Sequence, residues 1–289
     1  MLSDAIRQKL ADPAYRTLHL TAALSLREAG GTHWYDSHFL RHLNAAKHYL
    51  AIVRPDALDD FTAGFAPLQP APGSGLKTID ALFDDATRAK IKHIVATLPE
   101  DTVEHDEVEE FGRRIVHDHP YFLELQAQVM PLASELVGIE LETGYNFLSL
   151  YGGKGKCDPH MDHPMSMFTL DYCIDQSHEW PIHFSQMVDW PSLSSFTDWE
   201  PSQLLNDPAI HFEPRVLQPN QALLFTGSSQ WHYRNAITPG GFCNLLFFHY
   251  YPAGCEDLIR SGSWVRHFDI PELEALCDLF REERDVGPV

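Results

Sequence analysis

The sequence predicts a mainly β protein with a helical flank, an α+β chain, and two patterns carry that reading. From Gly144 onward, short apolar or aromatic runs are separated by Gly, Pro, Asn and Asp, while the first 140 residues space their apolar side chains at helical period. Many short strands so closely spaced argue for a sandwich, jelly roll or barrel and against a βαβ sheet. The 289 residues are then expected to divide into a helical N-terminal region, 1–140, packing on the barrel, and a β core with a C-terminal helix, 141–289.

Taken in order, Phe39, Leu43, Ala46, Leu50 and Val53 recur at steps of four and three, with Asp36 and Ser37 placed to cap a helix. Pro67 to Gly75 is a turn-rich link, and a shorter helix is expected from Ala86 to Leu98 behind Asp85. Pro120 suits a first helical turn, and the stripe after it runs Phe122, Leu125, Val129, Leu132 and Leu136. Strands are expected over 145–151, 165–172, 182–186, 209–212, 222–226 and 244–251, and a closing helix over 272–283. No internal repeat or low-complexity tract interrupts this order.

Charge narrows the partners. With 21 Lys and Arg against 41 Asp and Glu, the net charge of −20 repels nucleic acid and anionic membrane surfaces, and no basic patch overrides it. Met1 to Leu10 lacks an apolar h-region, and no apolar run is long enough to span a membrane. The five cysteines form no C-x-x-C pair and suit reduced thiols in a cytoplasm.

Seventeen histidines cannot be read singly, so spacing must select among them. In PHMDHP, His160 and Asp162 stand two apart, which on an extended segment turns both side chains to one face. His232, in SSQWHYR after the strand ALLF, supplies a second imidazole far downstream. Two histidines and one carboxylate on one side of an ion leave three adjacent positions open, the arrangement of non-haem Fe(II) oxygenases. Rival pairs are weaker. His211 and Glu213 lack a glycine-rich turn before them, His267 and Asp269 have no histidine after them, and His117-Asp118-His119 reads as a helix cap.

YGGKGKCDPHMDHP, WPIHFS, PNQALLFTGSSQWHYR and NLLFFHYYP together resemble the Fe(II)/2-oxoglutarate-dependent oxygenases, especially their prolyl-hydroxylase-like branch, over about residues 121–252. The resemblance implies a double-stranded β-helix, a jelly-roll or cupin-like barrel, with iron held by His160, Asp162 and His232. It also implies 2-oxoglutarate and O₂ as cosubstrates and succinate and CO₂ as products, with hydroxylation of a small or amino-acid-derived molecule. Asp162 stands where halogenating relatives carry a small residue, which disfavours halogenation. Desaturation and ring closure stay open, as does a protein side chain as substrate.

A 2-oxoglutarate enzyme needs a cation for the far carboxylate. Between Cys157 and Ile259 only Arg215 and Arg234 are Lys or Arg, and Arg234 stands two positions from His232, on the same face if WHYRN is extended. Its guanidinium can grip a carboxylate through two parallel bonds. The chain departs here from the commoner family pattern, in which the basic residue lies on the next strand, where this sequence has Phe242 and, just beyond, Asn244. Tyr151 lies where relatives often place a tyrosine on 2-oxoglutarate, and Tyr151 with Asn244 is the alternative anchor. GGKGKC lacks the spacing of a phosphate loop, Lys154 and Lys156 read as solvated, and Cys157 reads as packing.

Two alternatives remain: a cupin-like metal enzyme not using 2-oxoglutarate, and a silent barrel that binds a partner. The N-terminal region has three open roles, as substrate lid, homodimer interface or cover for the barrel. The long segment 187–207, with Trp190, Phe196 and Trp199, is expected to be a lid or a staple.

Overall fold

A computed structural model describes residues 3–29, 38–71, 74–190 and 201–279. Asp36, Ser37, Phe196 and Trp199 lie outside these residues, as does the end of the predicted C-terminal helix. The chain forms two compact units, one of residues 1–69, 190–199 and 254–289 and one of residues 70–189 and 200–253. The predicted boundary near residue 140 therefore gives way to one at 69, and the C-terminal segment joins the N-terminal helices.

In the first unit the helices are α1 (Asp4–Ala11), α2 (Pro13–Glu28), α3 (His38–Val53) and α4 (Leu58–Ala63). Asp12 ends α1 and caps α2, its carboxylate accepting from the Ala14 N–H at 2.8 Å with Pro13 in the first turn. The α3 stripe buries Phe39, Leu43, Ala46 and Leu50. Trp264, from the short helix Trp264–His267, is fully buried among Phe39, Phe61 and Phe65, with ring centroids 5.3–6.0 Å apart. Those edge-on contacts give the C-terminal segment its place in this unit. Trp190 also packs on Phe39, at 5.4 Å.

In the second unit the elements run β1 (Lys77–Ile79), α5 (Asp85–Ala96), β2 (Arg113–His117), α6 (Pro120–Val137), β3 (Leu141–Tyr151), β4 (Cys157–His160), β5 (Phe168–Gln176), β6 (Ile182–Met187), α7 (Pro201–Leu205), β7 (Glu213–Arg215), β8 (Ala222–Phe225), β9 (Gln230–Arg234) and β10 (Cys243–Pro252). Two antiparallel sheets result, β1-β8-β5-β10-β3-β2 and β4-β9-β6-β7. The expected strand at 209–212 is a turn instead. Asp207 accepts from the Ala209 N–H, and Gln186 bonds both Ala209 O and the His211 N–H, so a side chain replaces the ladder. Asp84, not Asp85, caps α5.

Alternation assigns the faces of the larger sheet. Leu148, Leu150, Leu170, Tyr172, Leu246 and Phe248 meet the apolar sides of α5 and α6. Cys173, Leu223, Phe225 and Leu245 turn the other way, toward the smaller sheet, where Phe225 meets Phe184 of β6 at 4.7 Å. The buried Gln126 of α6 donates to the carbonyls of Tyr145 and His249 at 3.1 and 2.8 Å, tying the helix to β3 and β10. Among the described residues no helix is long and apolar enough to cross a membrane.

Candidate metal centre

The site forms where β4 and β9 pair, with His160 directly opposite His232. The chain then leaves the strand, and the Asp162 N–H donates to the Gly227 carbonyl at 2.9 Å in the turn between β8 and β9. Gly227 is required there, because a Cβ on it would stand 2.3 Å from Asp162 Oδ2. One turn thus sets the height of the carboxylate against both imidazoles.

Asp162 Oδ1 lies 3.5 Å from His160 Nε2 and 3.4 Å from His232 Nε2, and the imidazole centroids are 4.2 Å apart. His160 Nδ1 is 2.9 Å from the Asp158 carbonyl, and His232 Nδ1 is 3.0 Å from the Gln230 carbonyl. A carbonyl only accepts, so each Nδ1 carries a proton and each Nε2 is the ring nitrogen turned toward Asp162. Thr169 Oγ1 donates to Asp162 Oδ2 at 2.9 Å and leaves Oδ1 for the centre. Its oxygen in turn accepts from His249 Nδ1 at 3.1 Å. Ligand atoms at right angles around a cation at about 2.1 Å stand about 3 Å apart, so the three donors fit one ion after a small inward move.

The three groups also hold one another electrostatically. Burial opposes charge on Asp162, yet His232 and His160 hold its carboxyl well below the usual range. Burial also opposes charge on His160, but Cys157, with Sγ 3.6 Å from Nδ1, and Asp162 raise it well above an ordinary imidazole. His249 behaves oppositely. Burial drives its pKa down to about 4, and its Nε2 is buried without a partner.

The other sequence-selected residues scatter. Arg234 is buried on β9, its Nη2 on Asp171 Oδ2 and its Nη1 on the Trp180 carbonyl, both at 2.6 Å. Tyr151 is buried beside Trp180, with its hydroxyl 2.9 Å from Arg113 Nη1. Asn244 stands two positions before Leu246, on the helix-covered side, and donates to Asp175 at 2.7 Å. It therefore does not share the inner face with Tyr151 and Arg234. Lys156 pairs with exposed Asp158, Glu213 with Arg215, and His119 caps α6.

Thr169, Asp171, His249 and Arg113 were not singled out from the sequence. Polar residues set inside apolar runs, Thr169 and Asp171 in FTLDY and His249 in FFHYY, were the available signal for the first three. Arg113 had none, because its strand belongs to an acid-rich stretch.

No family model and no curated protein matches the chain. Among solved structures, HygX from Streptomyces hygroscopicus with nickel and 2-oxoglutarate bound is similar at 11% identity and a TM-score of 0.49, covering 62% of this chain and 84% of that one. The non-haem α-ketoglutarate-dependent epimerase SnoN from nogalamycin biosynthesis gives 13% identity, 0.48, 69% and 84%. EctD from S. alaskensis in its apoform gives 17% identity, 0.45, 69% and 76%. At such identities the likeness is one of outline alone.

Proposed function

We propose that this chain is a non-haem Fe(II)/2-oxoglutarate-dependent dioxygenase on a double-stranded β-helix, hydroxylating a small molecule or amino-acid-derived substrate with release of succinate and CO₂. The observation that carries this reading is the convergence of His160 Nε2, His232 Nε2 and one Asp162 oxygen within 4.8 Å of one another. Such a set with its remaining positions open suits iron that must also take a bidentate keto acid and O₂. The resemblance of the flanking motifs supplies the 2-oxoglutarate part of the proposal.

Bound iron would supply the activation of O₂ at the expense of 2-oxoglutarate. The protein's share is placement. His160, Asp162 and His232 would hold the ion, and Thr169 occupies Asp162 Oδ2, which leaves Oδ1 as the oxygen facing the two imidazoles. Phe147, Phe247 and His249, with centroids 4.7–6.3 Å apart, form an aromatic floor on β3 and β10. That floor keeps water from the inner face and leaves substrate a dry surface.

Anaerobically loaded protein given O₂ and 2-oxoglutarate should form succinate in an Fe(II)-dependent reaction, and His232→Ala should abolish it. Succinate formation that survives His232→Ala contradicts the assignment, and turnover of O₂ without 2-oxoglutarate consumption would favour the cupin-like alternative.

A further inference from the structure

The helix-covered face of the larger sheet changes character at one end of its strands. There it carries a cross-strand row in which Arg114 of β2, Leu150 of β3, Asn244 of β10 and Asp175 of β5 stand opposite one another in turn. β5 joins this row through a bulge. Leu245 pairs with Cys173 and Asn244 with Asp175, so Ile174 is an extra residue, and it and Asp175 both face the helix-covered side. Strict alternation would have sent that carboxylate to the inner face.

Over the row lies a cleft of about 630 Å³, within the size range of small-molecule sites. Its apolar walls are Val95 of α5, Val108, Leu150, Ile174 and Phe242, the last 42% exposed. The charges that line it are unevenly matched. Arg113 is paired with Glu107, and His105 lies 3.1 Å from Glu100. Lys92 of α5 and Arg114 have no ion pair among the described residues. Asp175, the one carboxylate of the lining, accepts from Asn244 Nδ2 at 2.7 Å. Arg114 and Asp175 stand three strand spacings apart along the row, about 14 Å at roughly 4.8 Å each. The cleft therefore has a cationic end, an acidic end and an apolar floor between them. In a chain of net charge −20 its two unmatched cations draw anions to one place.

We infer that this cleft is a second ligand site, across the sheet from the metal centre, for a small amphiphilic monocarboxylate. Arg114 and Lys92 take the carboxylate, and the apolar body lies on Leu150, Ile174 and Val95. Asp175 sets the selectivity from the far end. An apolar terminus leaves its bond to Asn244 intact, whereas a second carboxylate meets a like charge.

Octanoate is the probe, titrated calorimetrically into Co(II)-loaded protein with and without saturating 2-oxoglutarate. One molecule should bind, with the same affinity in both conditions and in His232→Ala. Arg114→Gln should weaken binding by roughly tenfold and Lys92→Gln by about threefold. Both residues are exposed, so neither change threatens the fold. Octanedioate should bind at least ~10-fold more weakly than octanoate, and Asp175→Asn should reduce that difference to about threefold or less. Absence of saturable octanoate binding, or binding unchanged in both Arg114→Gln and Lys92→Gln, overturns the inference. Octanoate that is displaced by 2-oxoglutarate, or lost in His232→Ala, sits at the metal centre and overturns it too. Octanedioate bound as well as octanoate, or a difference that persists in Asp175→Asn, overturns the selectivity assigned to Asp175.

Discussion

On β5, Leu170 and Tyr172 turn to helices α5 and α6, while their neighbours Thr169 and Asp171 turn to the opposite sheet. On β10 the same contrast separates Leu246 and Phe248 from His249. The helix-covered face is a mainly apolar layer, broken by the hydrogen-bonded pair Gln126 and Asn146, and each large apolar side chain in it adds burial without regard to chemistry. The inner face instead buries Thr169, Asp171, His249 and Arg234, where each polar atom must find a partner or raise the energy of the fold. The same strands thus separate stability from chemistry by one-residue alternation. Polar groups tolerated on the inner face mark where binding can recover what burial costs.

Breaking the apolar side should cost most in stability and least in chemistry. Phe248→Ala, on the helix face, is expected to lower unfolding free energy by about 3–5 kcal/mol. Affinity for Co(II), measured by chelator competition on the folded protein, should stay within about threefold. A large loss of metal affinity would mean that the two faces are not independent.

A smaller effect belongs to His249 and depends on pH. In the folded, metal-free protein its pKa is about 4 against an ordinary 6.5, so between these values the unfolded chain takes up a proton that the folded chain refuses. Stability from this group is therefore complete above pH 6.5 and is lost as pH falls toward 4, by about 3 kcal/mol over the window. Urea denaturation of wild type and His249→Gln at pH 7 and pH 4.5 should show the variant losing less. Equal losses would remove His249 as the cause.

Thr169→Val sharpens the contrast most finely, since it keeps shape and removes one hydroxyl. It deletes the bond to Asp162 Oδ2 and the acceptor for His249, and should weaken metal binding by about 10–100-fold. Isosteric replacement on the apolar face should do nothing comparable.

The three convergent side chains of the candidate centre were selected by local pattern, His160 and Asp162 by their spacing of two and His232 by its flanking motif, although Asp162 lies past the end of β4 and is set by the turn at Gly227 rather than by strand alternation. Strands rich in aromatics, such as β3 and β10, and the Pro120-led α6 were legible for the same reason. What was hidden depended on pairing across distance. Asp171 meets Arg234 from the opposite sheet, and no local pattern announces an acid so placed. β2 lies in an acid-rich stretch and is a strand through its register with β3, so Arg113 surfaced only with the sheet. Helices α1 and α2 have apolar stripes broken by polar residues and bury little of their own surface, Ile6 in α1 and Ala22 and Ser25 in α2.

The central claim is that His160, Asp162 and His232 hold one metal ion. Anaerobic Co(II) titration followed by visible absorption tests it most directly. Wild type should saturate at one equivalent, and His160→Ala, Asp162→Ala and His232→Ala should each weaken binding beyond the about 10–100-fold expected for an outer partner such as Thr169. One equivalent bound with wild-type affinity by any of the three variants would contradict the claim.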